Sequence, residues 1–170
     1  MRWRSRSPEE TRAAARELAE ELGPGGCAVA LLGELGAGKT AFAKGVAEGL
    51  GLPPGLVASP TFTIAQELPT PGGLRLVHAD LFRVESLAEL EAAGFDDWLG
   101  PDVLLLVEWA DRLPDALPRD HLEVRLDRAP GPPDFRDLAV RAHGPAAEAL
   151  LARWRRRRTA AGVPLTGCAG

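Results

Sequence analysis

Tyrosine is missing from this chain of 170 residues, and the only cysteines are Cys27 and Cys168. Two thiols are too few for a disulfide framework, and no Cys/His spacing of the zinc-binding type occurs. The longest aliphatic run, residues 103–107, is far shorter than the ~20 residues that a membrane-spanning helix needs. Residues 1–7 are basic but lack the apolar segment of a secretory signal. We therefore expect a cytoplasmic protein with no membrane association.

An excess of positive charge is also missing, because the formal net charge is −4 at pH 7. A role on nucleic acid would therefore have to be local or act through a partner. The hydrophobic fraction of 45% and the charged fraction of 26% are ordinary for a globular protein. We expect a single domain over residues 1–162 and a flexible tail over residues 163–170.

Residues 33–40 read G-x-x-x-x-G-K-T, the P-loop pattern. Its glycines let backbone N–H groups turn towards a phosphate chain, Lys39 adds a positive charge, and Thr40 offers a hydroxyl to Mg²⁺. A strand-length apolar run, residues 27–32, precedes the loop, and a helix-like segment, residues 42–50, follows it. The sequence therefore predicts binding of a nucleoside triphosphate with Mg²⁺. The expected nucleotide contacts in this loop are Glu34, Leu35, Gly36, Ala37, Gly38, Lys39, Thr40 and Ala41.

Periodicity assigns secondary structure to the rest of the chain. Ser7, Pro8 and Glu10 form a helix start with a capping box. The other predicted elements are antiparallel strands over residues 57–68 and 74–83, a short helix over 86–93, a buried strand over 103–107, strands around 122–126 and 138–142, and a terminal helix over 145–161. These elements predict an α/β protein, with a P-loop NTPase-like three-layer fold in which helices flank a mixed central sheet with antiparallel additions.

Two carboxylates are candidates for the chemistry. Glu108 follows the buried aliphatic strand, and ligands of open α/β sheets lie beyond the carboxyl ends of strands. It could hold Mg²⁺ or polarise the attacking water, or be a strand-end carboxylate that faces solvent. Asp80 shares a strand face with His78 and could orient a water or a magnesium ligand, or lie on a solvated edge. A lone histidine such as His78 is more often structural than catalytic.

Three further features have alternative interpretations. Ser59 or Thr61 could sense the γ-phosphate, or belong to an ordinary strand start. Trp109 could stack on a base, close over the site, contact a partner or pack in the core. The arginines at positions 155–158 could touch RNA phosphates or form a solvated helix face.

Several segments, taken together and in this order, resemble the TsaE (YjeE) family. They are S-P-E-E-T at residues 7–11, the P-loop at 33–40, S-P-T-F at 59–62, H-A-D-L-F-R at 78–83 and V-E-W at 107–109. The resemblance covers about residues 7–142. It implies an ATPase subunit of the machinery that makes N6-threonylcarbamoyladenosine at position 37 of tRNAs reading codons that begin with A. The implied partners are TsaD and TsaB, with tRNA handled through the complex.

The resemblance also implies roles for single residues. Lys39 contacts phosphates, Thr40 and Glu108 serve Mg²⁺, and Asp80 assists hydrolysis of ATP. Thr11 matches a threonine that contacts the nucleotide near its base. The implied catalytic residues are thus Lys39, Asp80 and Glu108, and the implied cofactors are ATP and Mg²⁺.

The chain departs from the family pattern at two positions. Phe82 and Leu68 stand where tyrosine is more usual, so any role of those hydroxyls is lost or moved. Two other functions remain open. A small-molecule kinase fits the size and the P-loop, but such kinases carry an arginine-bearing lid where this chain has a proline-rich hairpin around residues 130–133. A nucleotide-gated binding protein would bind ATP with only incidental hydrolysis.

Overall fold

A seven-stranded mixed sheet forms the centre of the molecule, a computed structural model that describes residues 1–23, 25–57 and 63–166. The strands are Arg2–Ser5 (β1), Cys27–Leu32 (β2), Ala65–Pro69 (β3), Arg75–Asp80 (β4), Val103–Glu108 (β5), His121–Arg128 (β6) and Arg136–His143 (β7). The helices are Pro8–Glu20 (α1), Lys39–Gly49 (α2), Leu87–Ala92 (α3) and Pro145–Ala160 (α4), with short 3₁₀ helices at Phe95–Trp98, Ala110–Arg112 and Pro114–Ala116.

The strand order is β1-β7-β6-β2-β5-β4-β3. The central strands β6, β2, β5 and β4 run parallel. The outer pairings, β3 with β4, β7 with β6 and β1 with β7, are antiparallel. This arrangement confirms the mixed sheet with antiparallel additions at its edges.

Helices cover the sheet on both faces, which gives three layers. On one face α1, α2 and α4 pack on the sheet through a core that includes Phe42 and Trp154, both 0% exposed. On the other face α3 and the 3₁₀ helices contribute Leu90, Phe95 and Trp98 to a second core. Every residue of β5 is buried, as expected for a strand covered on both sides.

The start of α1 follows the prediction with one shift. The Ser7 hydroxyl accepts a hydrogen bond from the backbone N–H of Glu10 at 3.2 Å, so Ser7 is the N-cap. The Glu10 carboxylate accepts from the N–H of Arg6 at 2.8 Å, one residue before the donor that a capping box uses. Both bonds satisfy backbone groups at the chain's entry into the helix.

The predicted strand over residues 57–68 is wrong at its start and its end. The strand is Ala65–Pro69. Val57 and residues 63–64 lie outside any strand. Residues 58–62, which carry Ser59 and Thr61, lie outside the described residues. Pro69 was expected in the turn but pairs with Arg75, which a proline can do on an edge strand.

The second strand of this pair ends three residues earlier than predicted. Its last residue is Asp80, whose carboxylate accepts from the N–H of Phe82 at 2.9 Å. This local bond turns the chain, because an aspartate side chain can replace a backbone partner two residues ahead. Leu81 then donates its N–H to the carbonyl oxygen of Glu108 at 3.0 Å.

Strand β1 has no counterpart in the prediction. Its outer residues Arg2 and Arg4 are exposed, while Trp3 is buried with its ring centroid 5.3 Å from that of Trp154. The backbone of Thr166 exchanges two hydrogen bonds of 2.8 Å with Arg2. The expected domain boundary at residue 162 therefore excludes a residue that pairs with β1. In the described part of the chain, no helix is both long and apolar enough to cross a membrane.

Candidate functional site

The loop between β2 and α2 lies at the carboxyl end of the parallel strands, next to β5 and β6. Gly33, Gly36 and Gly38 have φ values of 138°, 76° and 105°, which L side chains rarely adopt. A Cβ on Gly33 would lie 2.2 Å from the carbonyl oxygen of Leu126 on β6, so only glycine fits there. The loop has the backbone geometry in which successive N–H groups can face an anion.

Lys39 begins α2 and connects both ends of this loop. Its Nζ donates to the carbonyl oxygens of Gly33 at 2.6 Å and of Glu34 at 3.0 Å. Burial lowers the pKa of Lys39, while the negative charges of Glu108 and Asp80 act in the opposite direction. The ammonium is therefore placed at the helix start, within the field of three carboxylates, those of Glu108, Asp80 and Asp111.

Glu108 is the last residue of β5 and is only 3% exposed. Its Oε2 accepts from the Thr40 hydroxyl at 3.1 Å, and its Oε1 lies 2.9 Å from Nε2 of His78. His78 is fully buried, and its Nδ1 has no hydrogen-bond partner in the described structure. Because a carboxylate oxygen accepts hydrogen bonds, Nε2 is the donor of the bond to Glu108. Glu108 is thus a buried and oriented carboxylate, and His78 has the structural role.

Asp80 and Glu108 are neighbours at the ends of adjacent parallel strands, paired in the register of β4 and β5. Both line a cavity of about 450 Å³. The rest of its lining is Leu35, Gly36, Ala37, Gly38, Lys39, Thr40, Phe82, Arg83 and Trp109. The structure therefore brings the P-loop and both predicted acids to one cavity.

Trp109 covers the lysine side of this cavity. Its ring centroid lies 3.6 Å from Nζ of Lys39 and 4.9 Å from the ring of Phe82. Trp109 has a φ of 58°, and among the described residues it is the one non-glycine residue with a positive φ. Such a conformation costs roughly 1–3 kcal/mol and persists where the surroundings impose it. Trp109 thus lies over the site and also packs against the second core, so two of its predicted interpretations describe its position.

Three of the residues predicted to contact the nucleotide, Thr11, Glu34 and Ala41, are not among those that line the cavity. Thr11 is 1% exposed. Its hydroxyl bonds to that of Ser5 at 2.8 Å and lies 3.3 Å from the carbonyl oxygen of Ser7. A contact between Thr11 and the nucleotide stays a prediction. Leu35, which does line the cavity, is a large apolar side chain that is 76% exposed.

Arg157 and Arg158, at the end of the arginine run on α4, form ion pairs with α1 and the residue that follows it. Arg157 forms ion pairs with Glu20 and Glu21 at the end of α1. Arg158 is buried, bonds to Glu17 at 2.7 Å and lies over the ring of Trp3. These pairs fasten α4 to α1.

One residue at the loop has no counterpart in the predicted site. Arg136, the first residue of β7, donates from Nε to the carbonyl oxygen of Ala37 at 2.9 Å and from a terminal nitrogen to that of Gly36 at 3.0 Å. No motif marks it, because it lies about one hundred residues from its partners in sequence. A sequence pattern that could reveal such a residue is an arginine placed directly after the turn of a hairpin that pairs with the strand before the P-loop.

A family model described as "Threonylcarbamoyl adenosine biosynthesis protein TsaE" matches residues 5–132. The chain belongs to the TsaE family. The family expected from the sequence motifs is therefore confirmed. The TsaE match ends before Arg136, so this residue lies outside the segment that the family model describes.

Curated TsaE proteins are similar over most of the chain. The tRNA threonylcarbamoyladenosine biosynthesis protein TsaE of Bacillus subtilis is 42% identical over 144 residues, which cover 85% of this chain and 87% of that protein. The Streptomyces coelicolor protein of the same name is 45% identical over 118 residues, covering 68% and 78% of the two chains.

A solved structure extends the similarity to the fold. The crystal structure of YdiB from Bacillus subtilis is 36% identical in sequence and superposes with a TM-score of 0.71, covering 92% of this chain and 95% of that one. The predicted P-loop NTPase-like fold is thus confirmed for this TsaE-family chain.

Proposed function

We propose that this chain is the ATPase subunit that supports formation of N6-threonylcarbamoyladenosine at position 37 of tRNAs reading codons that begin with A. The observation that supports the proposal best is the convergence of the P-loop, Asp80 and Glu108 on one cavity. Relatives named as tRNA threonylcarbamoyladenosine biosynthesis proteins support the biological process.

In this proposal the loop and Lys39 bind the phosphates of ATP. The positive-φ glycines orient backbone N–H groups, and the start of α2 adds the positive end of a helix dipole. Lys39 exchanges its carbonyl partners, at least in part, for phosphate oxygens. Because its burial costs the charged form free energy, an anion at the loop stabilises the ammonium.

Thr40 and Glu108 fit the needs of Mg²⁺. Their oxygens lie 3.1 Å apart beside the loop, and Mg²⁺ prefers such oxygen ligands together with phosphate oxygens and water. Thr40 and Glu108 would hold the ion, which would supply positive charge to the phosphate oxygens during phosphoryl transfer. Glu108 keeps its carboxylate oriented for this task through its bond to His78.

Asp80 is the candidate that orients the attacking water. It is half-buried, lines the cavity, and has one carboxylate oxygen fixed by the N–H of Phe82. A carboxylate held in this way can accept a hydrogen bond from water without reorganising. Transfer to water releases phosphate and ADP, and no acceptor molecule is required.

The proposed partners are TsaD and TsaB. The described residues form the three-layer domain, and the net charge of −4 gives tRNA no general attraction. Recognition of tRNA is therefore assigned to the partner complex. ATP binding and slow hydrolysis at this chain support turnover of that complex.

Phosphate release is measured with the chain alone and then with TsaB and TsaD. We expect slow release alone and faster release with the partners. Lys39→Ala should abolish hydrolysis and weaken ATP binding, while Glu108→Ala should abolish hydrolysis. Full turnover by Glu108→Ala would contradict the role of that acid, and ADP formation that depends on an added acceptor would indicate a kinase instead.

A further inference from the structure

We propose that Arg136 is a positioning residue of the nucleotide site. It holds the backbone carbonyls of the P-loop and thereby sets the affinity of the loop for phosphate. The inference rests on the proposed binding of nucleotide at the loop. Arg136 is not among the residues that line the cavity, so it acts through the loop backbone rather than on the ligand.

The Arg136 guanidinium binds two separate backbone segments. Two of its nitrogens donate to the carbonyl oxygens of Gly36 and Ala37 in the P-loop, at 3.0 and 2.9 Å. The third donates to the carbonyl oxygens of Pro133 and Phe135 in the β6–β7 hairpin, at 2.6 and 2.8 Å. One side chain thus ties the loop to the hairpin.

These bonds fix the direction of the loop amides. In a trans peptide the C=O and the following N–H point in opposite directions. When Arg136 holds the carbonyl of Ala37, the N–H of Gly38 must point away from the guanidinium. The N–H of Ala37, in the same peptide as the carbonyl of Gly36, closes a turn on Glu34 at 3.1 Å. The planes of the Gly36–Ala37 and Ala37–Gly38 peptides are therefore set before any anion arrives.

The glycines make such support necessary. Gly36 and Gly38 can adopt many backbone conformations, so the loop alone would lose conformational entropy each time it closed on a phosphate. A loop ordered in advance avoids that cost on binding. The fixed positive charge of Arg136, close behind the loop, also favours an anion in front of it.

Arginine suits this position better than lysine would. The planar guanidinium presents its donors in a fixed fork, which matches two adjacent carbonyls on one side and the hairpin on the other. A lysine would keep the charge but not bind the same carbonyls in fixed directions. The Arg136→Lys variant therefore separates geometry from charge.

The test measures Mg-ATP affinity by isothermal titration calorimetry for Arg136→Ala, Arg136→Lys and the control Arg141→Ala. Arg141 is on the same strand, with a side chain that is 69% exposed. We expect Arg136→Ala to weaken binding about tenfold or more, since bonds to a charged group are worth roughly 1.5–3 kcal/mol. Arg136→Lys should regain only part of the loss, and Arg141→Ala should match the wild type.

Two further measurements separate positioning from stability and from the proposed function. In steady-state hydrolysis the loss should fall mainly on KM rather than kcat. Hydrogen exchange of the amides of residues 36–38, measured without nucleotide, should accelerate in Arg136→Ala and not in Arg141→Ala. Melting curves establish that the variants are folded; if Arg136→Ala does not fold, Arg136→Lys carries the test.

Wild-type affinity and unchanged loop exchange in the folded Arg136 variants would overturn the positioning role. Failure of the wild-type chain to bind Mg-ATP would instead overturn the proposed function. The exchange measurement would still show whether Arg136 orders the loop in that case.

Discussion

Both oxygens of the Glu108 carboxylate are already bonded within the protein, and this governs what the residue can do. Thr40 and His78 each hold one oxygen, and only 3% of Glu108 is exposed. A buried carboxylate with fixed partners loses little entropy when it takes up a further ligand. The bond from Nε2 of His78 also fixes the orientation of the carboxylate within the core.

Replacement of His78 by alanine should affect both stability and magnesium use. The variant leaves Oε1 of Glu108 without its donor in a buried place, and we expect the free energy of unfolding to fall by about 2–4 kcal/mol. The Mg²⁺ concentration for half-maximal hydrolysis should rise. Urea unfolding and a magnesium titration measure the two effects.

His78→Gln and His143→Gln complete this comparison. A glutamine at position 78 can present an amide donor towards Glu108 and should recover part of the loss. His143 is a partly exposed histidine on β7 and serves as the control. The positioning role of His78 would be refuted by a folded His78→Ala with wild-type magnesium dependence.

At the scale of elements, α4 is attached to α1 by charge as well as by apolar packing. Arg158 is 5% exposed, bonds to Glu17 at 2.7 Å, and lies with its guanidinium 4.5 Å from the ring centroid of Trp3. Burial lowers the pKa of Arg158, and the charge of Glu17 opposes that shift. The interaction joins the terminal helix to the first helix and to the edge strand.

Arg158→Ala should therefore destabilise the protein, whereas Arg156→Ala should not. Loss of the buried guanidinium removes the partner of Glu17 and the contact with Trp3. We therefore expect the free energy of unfolding to fall by about 1–3 kcal/mol. Arg156 is exposed on the same helix and should change stability by less than about 0.5 kcal/mol. Urea denaturation compares them, and equal stability of the two variants would contradict the attachment.

For the whole molecule, ligand binding and folding are linked. A ligand that binds only the folded state stabilises it by about 2.7 kcal/mol at a concentration of one hundred times its Kd. For a chain of this size that corresponds to a rise in Tm of about 5–10 °C. We expect Mg-ATP to raise Tm in this range, measured by circular dichroism. Chelation of Mg²⁺ should reduce the rise, and Lys39→Ala should remove most of it.

Local patterns predicted the centre of the molecule and the grouping of the acids with the P-loop. The apolar runs became β2 and β5, and the acid at the end of the second run lies beside the P-loop because parallel strands end at one sheet edge. The predictions failed where the deciding contact is distant in sequence. Strand β1 has only four residues, and it exists because β7 pairs with it from the other end of the chain.

Arg136 and Thr11 show the same limit at the site. The partners of Arg136 in the P-loop lie 99 and 100 residues away, so no spacing rule could reveal this contact. Thr11 was assigned by motif position, and the motif carries no information on how its hydroxyl is bonded to Ser5. A motif identifies which residues take part, while packing decides how each is oriented.

The position of Trp109 gives the molecule an optical reporter of its own. Its indole lies 3.6 Å from the ammonium of Lys39, whereas Trp3, Trp98 and Trp154 are each at most 5% exposed and belong to the two cores. A charge over an indole face changes the energy of its excited state. Any ligand that draws the ammonium away must therefore alter the fluorescence emission of Trp109, while the emission of the three core tryptophans stays constant. Occupancy of the loop can thus be followed in real time without a label.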